Sequence, residues 1–490
     1  MADHFEEERP AHDTADYTRK GIYISIGVSL VVALAAIGLS VATFAGQLAD
    51  TGLAANSIVG ELLPLAFNIV VAVLTDILSF AHSVSLRWAL YKEDRLHYNS
   101  NLRLFTSTKQ CASNRWPANL LSATFLITSY TAANAALFVY KREAGEKYIS
   151  LNAVAFMALG ISLIGQIIIA LWSLHKSEQW VHSWSANPLN TALAFLNKGE
   201  SYRVLGRGMM SVHDYHAGIK PGPVQPRKKQ GNMIKAYPHV GLLLWIVGLA
   251  LLLDLTFAGI VCKLTFQQHP DASLAFVQNT NTGPANSYSS SFHFNMPPDW
   301  SPYMTQLVMF LMGMMLQACI TLTLHCAELL INVHRDECTW RSAYIATGKG
   351  AEIDTNPVVS AFSSWSWIAL FCIKPVAQWL FGTASLSLGQ RGAGDGLVWF
   401  NSVPLFVLAG VLVLILAHLS FLALRSPKGP QPATFGHIQT LVNLIDDWGS
   451  DIKSRLYWGE KVRHEYGVHV VGTSANRMRV KALDMTQDYW

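Results

Sequence analysis

The chain has 490 residues, of which 51% are hydrophobic and only 14% are charged. Soluble domains carry about 25% charged residues, so this composition excludes an ordinary soluble protein. The net charge of +4 is too small to indicate nucleic-acid binding. The six cysteines have no CxxC spacing, so neither a zinc site nor a disulfide framework is predicted.

Residues 1–20 are polar, with Glu6, Glu7 and Glu8 in a row, and we expect them to form a disordered cytoplasmic tail. The first predicted membrane span follows at 21–48. The second runs from 58 to 84, which is long enough to cross a hydrocarbon core of ~30 Å at ~1.5 Å per helical residue.

The second span carries a polar stripe. At ~100° per residue, Glu61, Asn68 and Asp76 fall on one narrow face of the helix, together with Ser79 and Ser83. A carboxylate that faces lipid is costly, so the stripe should face other helices or a water-filled cavity. We therefore predict that Glu61, Asn68 and Asp76 line a substrate or ion path.

Long apolar runs predict six further spans, at 117–140, 149–174, 240–262, 303–330, 362–386 and 400–424. The fold class is thus all-α, a polytopic helical membrane protein with about eight transmembrane helices. Most of the 36 Lys and Arg residues lie in the two tails and in the connections after spans two, four and six. This bias predicts that both termini are cytoplasmic. Which membrane holds the protein does not follow from the sequence.

The long connection at 175–238 divides the spans into two halves of four, at 21–174 and 239–424. Span six, like span two, carries polar residues along one side, namely Gln306, Gln317, Thr321 and Glu328. Both helices lead into an Arg/Trp pair, Arg87-Trp88 and Trp340-Arg341. A parallel 4+4 repeat is one explanation, and coincidence between two polar helices is the other.

Two cytoplasmic segments have their own patterns. The end of the 175–238 connection, with three prolines and then Arg227-Lys228-Lys229, is typical of an extended basic linker near anionic lipid. In the tail at 425–490, apolar residues recur with helical spacing over 438–456. This spacing predicts an amphipathic helix that packs on the cytoplasmic face of the bundle.

The most informative charge is Lys374, near the middle of span seven, with Pro375 after it and Gln378 on the same face. A lysine at this depth needs a partner. By rise per residue, Asp254 lies about 5 Å to the outer side of the membrane centre and Asp76 about 7 Å to the cytoplasmic side, and either or both could pair with it. Such a group suits proton or cation coupling, and it suits a static packing network equally well.

His325 and Glu328 lie three residues apart on one helix face, a spacing that can hold two metal ligands, but a third ligand is not evident. We treat both residues as weak metal candidates and predict no cofactor. No HExxH, GxSxG or phosphate-binding loop is present. An enzyme is therefore the least favoured class.

Several short motifs resemble a group of multi-pass membrane proteins of filamentous ascomycete fungi. They are Leu86-Arg87-Trp88, residues 99–106, residues 184–190, Ser211-Val212-His213, residues 457–461 and Gly472-Thr473-Ser474. The resemblance covers residues 60–475, and no biochemical function of that group can be carried over. Because these motifs lie mostly in cytoplasmic segments, they imply a structured cytoplasmic face.

Two functions fit these observations. The polar stripes and central charges favour a protein that moves a small solute or an ion between its helices, along Glu61, Asn68, Asp76, Asp254, Gln317, Lys374 and Gln378. The motif-bearing cytoplasmic face favours a non-catalytic membrane scaffold or sensor with a cytoplasmic protein partner. The lipid bilayer is a partner in both cases. A water-accessible path would favour transport, and a dry, fully paired core would favour the scaffold.

Overall fold

A computed structural model describes residues 13–46, 50–54, 57–103, 105–141, 147–198, 203–270, 272, 274, 291–295, 297, 299–353, 364–389, 396–449, 455–461 and 469–490. For some residues inside these ranges, Glu61 and Gln306 among them, only the backbone is described.

The described residues are mostly helical. In chain order the helices are α1 Asp16–Phe44, α2 Ser57–Lys92, α3 Trp116–Ala135, α4 Ala153–Ser177, α5 Pro188–Lys198, α6 Val212–His216, α7 Met233–Ala236, α8 Val240–Gln268, α9 Pro302–Arg341, α10 Trp365–Ala384, α11 Ser402–Leu424 and α12 Ile438–Leu444. Seven of them, α1, α2, α4, α8, α9, α10 and α11, are long and apolar enough to cross a membrane. The prediction of a helical, polytopic membrane protein is therefore confirmed.

Helix α3 corresponds to the third predicted span but is not among these seven. Its 20 residues include Asn119, Ser122, Ser129 and Thr131, all of them buried. These polar side chains lower its hydropathy. The helix nevertheless packs against α2, α4, α9 and α10, in the middle of the bundle.

Several predicted boundaries are wrong. Helix α1 begins at Asp16, inside the segment predicted to be disordered, and the backbone N–H of Asp13 donates to Asn190 Oδ1 at 2.7 Å. Helix α9 continues to Arg341, beyond the predicted span end at 330. With 40 residues it is about 60 Å long, twice the thickness of a hydrocarbon core, so one end must project from the membrane.

The sequence analysis predicted no strands, but ten are described. They are β1 Asp50–Ala54, β2 Leu137–Lys141, β3 Lys147–Leu151, β4 Ser291–Asn295, β5 Ala351–Glu352, β6 Ser385–Gly389, β7 Gly396–Asn401, β8 Arg455–Lys461, β9 Val471–Ser474 and β10 Val480–Lys481. Strands β2, β3, β6 and β7 directly adjoin apolar helices. Their residues therefore looked like continuations of the spans.

Six of these strands form two sheets with the same construction. One has the order β1-β3-β2 and the other β4-β7-β6, and every pairing is antiparallel. In each sheet, a hairpin between the third and fourth long helices of one half pairs with a strand from the connection after that half's first helix.

The helix packing follows the same division. Helix α1 packs on α4 as α8 packs on α11, and α3 packs on α4 as α10 packs on α11. Across the two halves, α3 contacts α9 and α10 contacts α2, while α3 and α10 also contact each other. Helices α2, α3, α9 and α10 thus form the centre of the bundle.

A group of segments that we call the cap packs on the end of the bundle opposite these two sheets. The cap comprises residues 178–238, 342–353 and 425–490 as far as they are described. Its strands β10, β8 and β5 pair in that order, and β9 also pairs with β8. Trp458 of β8 is fully buried and donates its backbone N–H to Ala343 O at 2.7 Å.

The cap corrects two predictions. The basic segment near 221–229 is not a free linker, because Val224 pairs with Tyr489 and Lys229 pairs with Lys428 through their backbones. In the described part of the predicted helix at 438–456, α12 ends at Leu444, and residues 450–454 lie outside the described part. The predicted burial is confirmed for Leu441, Ile445 and Leu456, which have no exposed surface, whereas Trp448 is half-buried and Ile452 is not described.

Candidate ion site at the centre of the bundle

Lys374 of α10 lies between two carboxylates. Its Nζ donates to Asp76 Oδ1 and Oδ2 of α2 at 2.9 and 3.1 Å, and to Glu328 Oε2 of α9 at 2.8 Å. Three central helices therefore meet at one ammonium group. The lysine side chain is only 5% exposed, whereas Asp76 and Glu328 are 23% and 31% exposed. Part of each carboxylate side chain is thus accessible, whereas the ammonium group is enclosed.

The predicted partnership between Lys374 and Asp76 is confirmed, and Glu328 is a second partner that the sequence analysis missed. From the sequence, Glu328 was predicted only as a weak metal ligand together with His325. In the structure His325 Nδ1 lies 3.2 Å from Glu328 Oε2, the same oxygen that accepts from Lys374. Among the residues described, no three His, Cys, Asp or Glu side chains are grouped to hold a metal ion.

A sequence signal for Glu328 did exist. Asp76 precedes Trp88 by the same number of residues as Glu328 precedes Trp340, so the two acids occupy matching positions in α2 and α9. His82 and His334 match in the same way. The two tryptophans also make matching contacts. Trp88 Nε1 donates to Ser183 O at 2.7 Å after α4, and Trp340 Nε1 donates to Pro432 O at 2.8 Å after α11.

A second polar group lies nearer the two three-stranded sheets. Asn134 Nδ2 of α3 donates to Gln317 Oε1 of α9 at 3.0 Å, and Gln317 Nε2 donates to Gln378 Oε1 of α10. Gln317 and Gln378 are 0% and 1% exposed. Gln378 is one helical turn from Lys374, so this amide group continues the polar interior away from the cap.

The other predicted path residues lie elsewhere. Asn68 is buried, and its Nδ2 donates to Pro64 O of its own helix at 3.0 Å. Asp254 is 7% exposed and is not a partner of Lys374, and no partner for its Oδ2 is present among the described residues. It lies on the buried stripe of α8 with Ala250 and Ala258. Residue 61 belongs to α2, but the Glu61 side chain lies outside the described part.

Arg103, which the sequence analysis did not consider, adds a further charge. It belongs to the connection between α2 and α3, and its guanidinium bonds Ser79 Oγ at 3.0 Å and His82 Nδ1 at 2.9 Å. Burial lowers the pKa of Arg103 to about 10, and the negative charges of Glu328 and Asp76 oppose that shift. The guanidinium therefore remains charged at neutral pH.

A small cleft lies beside Arg103 and His325. It is lined by Leu102, Arg103, Ala123, Leu126, Ile127, Thr321, Leu322 and His325. Its volume is about 20 Å³, enough for one water molecule, which needs ~10–15 Å³. His325 lines the cleft and contacts Glu328, so the imidazole connects the cleft to the carboxylate and has the chemistry to relay a proton between them.

Asp76, Glu328, Lys374 and His325 bring two carboxylates, an ammonium and an imidazole into one connected group, which is the chemistry that proton exchange or cation binding requires. We call these four residues the central ion site.

No protein-family model, curated protein or solved structure matches this chain. The resemblance to multi-pass proteins of filamentous fungi therefore stays a prediction, and the function is argued from the site alone.

Proposed function

We propose that this protein is a membrane transporter that moves a small solute or an ion, and that its central ion site couples the movement to a proton or another small cation. The observation that carries the proposal is the placement of Lys374 Nζ within 2.9 Å of both Asp76 and Glu328, on three different central helices. Ionisable side chains inside a membrane bundle are costly, and they commonly mark ion or proton pathways.

The proposal includes eight spans, with α3 as the third, and cytoplasmic termini. The position of α3 between four other helices supports its inclusion, since a helix so placed is covered by protein and tolerates polar side chains. The distribution of Lys and Arg supports the orientation. The cap then lies in the cytoplasm, and the two three-stranded sheets lie on the opposite side of the membrane.

We also propose that the halves form a parallel repeat related by an axis along the membrane normal. The two sheets with the same strand order support this, as do the paired helix contacts and the matching positions of Asp76 and Glu328. Transporters built from two such repeats bind their substrates where the repeats meet, near the middle of the membrane. Asp76 and Glu328, one from each half, meet there at Lys374.

The proposal is tested by recording currents from proteoliposomes on a solid-supported membrane after a jump in pH. Binding of protons within the membrane displaces charge, so no knowledge of the solute is needed. We expect a transient current from the wild type that Glu328→Gln and Asp76→Asn each reduce at least fivefold. Each variant is also made in an Asp254→Asn background, because Asp254 is a buried acid outside the site that can bind protons itself; Asp254→Asn alone should still give a current that the site variants reduce. A wild-type trace equal to that of protein-free liposomes would refute the proposal.

A scaffold is the second candidate, and a specific observation favours it. Trp88, Trp340 and Trp458 are all fully buried where the long helices meet the cap. An anchored cap of this kind could present a fixed surface to a cytoplasmic protein. A wild type without pH-jump currents, whose stability recovers when Lys374 and both acids are neutralised together, would favour this function.

A further inference from the structure

The Arg103 side chain bonds α2 on the cap side of the central ion site. Ser79 and His82, which bond the guanidinium, follow Asp76 by three and six residues along α2. At ~1.5 Å per residue they lie ~5 and ~9 Å nearer the cap than Asp76 does. The guanidinium therefore lies between the ion site and the connection from which Arg103 comes.

The hydrogen bonds of Arg103 hold it there in a defined state. A guanidinium has only donors, so His82 Nδ1 must accept and that nitrogen carries no proton while the bond exists. Ser79 Oγ accepts the second bond, and the backbone carbonyl of Ser79 accepts from the Ser83 hydroxyl one turn further along the helix. Neither bond can persist if the arginine swings out of the bundle.

Arg103 also completes the charge balance. Asp76 and Glu328 carry two negative charges when ionised, and Lys374 supplies one positive charge. The Arg103 guanidinium, bonded to Ser79 and His82 three and six residues from Asp76 on the same helix, supplies a second positive charge near the acids. With Arg103 in place the site has no charge to offer to a further cation, and a cation that approaches from the cap side meets a positive group first.

The residues that line the cleft relate Arg103 to the central ion site. Its lining includes Arg103 at one point and His325 at another, and His325 contacts Glu328. Water that reached the cleft from the cap side would therefore stand next to the imidazole that adjoins the ion site.

Building on the proposed function, we propose that Arg103 is the cytoplasmic gate of the central ion site. Bonded to Ser79 and His82, it closes the cleft and neutralises the acids. When it leaves, the cleft opens to cytoplasmic water and Glu328 exchanges protons through His325.

The gate is tested by the reactivity of a single cysteine in the cleft. Ile127→Cys is introduced into a chain whose native cysteines are replaced by Ser or Ala, and its labelling by a water-soluble methanethiosulfonate is timed. We expect Arg103→Gln to raise the labelling rate at least tenfold. Arg95→Gln is the matched control, because Arg95 lies in the same connection but bonds Glu93 and the Ser107 carbonyl instead. Equal rates in the Arg103 and Arg95 variants would overturn the proposal.

A milder variant keeps the test valid if Arg103→Gln does not fold. Ser79→Ala removes one of the two bonds and only one oxygen atom, so we expect an intermediate rise in labelling, about threefold. No rise in this variant, with Arg103→Gln also unchanged or unfolded, would overturn the gate. Because labelling does not depend on transport, the two proposals can fail separately. A gated cleft in a protein without pH-jump currents would refute the transport function and leave Arg103 as the group that closes the cleft.

Discussion

At the scale of single residues, the central ion site depends on which acids pair with Lys374. By depth alone Asp76 and Asp254 could flank the lysine from opposite sides, but depth does not tell which helix face meets it. The structure places Asp76 on the face toward α10 and Asp254 on the stripe of α8 that packs away from Lys374. Arg103 could not be predicted at all, because its segment is polar and only the fold carries it into the bundle.

A double-mutant cycle separates the two aspartates. Lys374→Met leaves buried carboxylates without their counter-ion, which should destabilise the detergent-solubilised protein by ~3–5 kcal/mol. Adding Asp76→Asn removes one of those charges, so the two losses should be non-additive by ~1–3 kcal/mol. The measurement is the free energy of unfolding from a denaturant titration.

Asp254 provides the control within the same experiment. It shares no bond with Lys374, so Lys374→Met and Asp254→Asn should add to within ~0.5 kcal/mol. Coupling of Lys374 to Asp254, or strict additivity with Asp76, would contradict the observed pairing.

At the scale of elements, the long apolar helices were predictable and the short elements were not. A run of more than twenty apolar residues has few alternatives to a membrane helix. The apolar spacing over 438–456, by contrast, is compatible with any chain path that buries those residues. After α12 the chain leaves the helical conformation at Ile445, yet Ile445 stays buried against the cap. Burial was therefore predictable, and backbone conformation was not.

The start of α12 makes the cap sensitive to pH. His437 is its N-cap, with Nδ1 accepting from the Thr440 N–H. Burial, reinforced by the neighbouring His216 and His97, lowers the pKa of His437 to about 3. The folded state thus keeps this imidazole neutral while the unfolded chain, with an ordinary pKa of ~6.5, takes up a proton. The stabilisation is complete above pH ~6.5 and is lost as the pH falls toward 3.

We expect the wild type to lose about 2 kcal/mol of stability between pH 7 and pH 5 through this residue. His437→Asn retains an N-capping side chain that does not titrate, so its stability should fall less over the same interval. Thermal unfolding of both proteins at the two pH values measures the difference. His175→Asn, at an exposed position, serves as the control and should behave as the wild type does. An identical pH dependence in His437→Asn and the wild type would show that His437 does not titrate as described.

At the scale of the whole molecule, the proposed repeat is supported by more than the sequence contains. Two polar helices and two Arg/Trp pairs were compatible with coincidence. The two sheets and the paired helix contacts come from segments whose residues differ between the halves, so no sequence pattern displayed them. The site itself is not symmetric, because Lys374 has Phe125 as its counterpart when α3 and α10 are matched from their first residues.

The proposed orientation predicts which connections face the cytoplasm. In a chain without native cysteines, Gly222→Cys should resist a membrane-impermeant maleimide in intact cells and react after permeabilisation. Asn286→Cys should react in intact cells if the protein is in the plasma membrane. In sealed vesicles from an internal membrane, the two probes should again lie on opposite sides. Reaction of both probes from the same side would exclude the proposed arrangement of eight spans.

Infrared difference spectroscopy of the protein in lipid, recorded between neutral and acidic buffer, tests the central claim most directly, because it observes protonation of buried carboxyl groups. We predict a carboxylic acid C=O band that rises on acidification in Asp254→Asn, a background that removes the band of this separate buried acid. The band should be absent when the Asp76→Asn, Glu328→Gln double variant is made in the same background. A band that the double variant leaves unchanged would contradict the assignment of proton exchange to the central ion site.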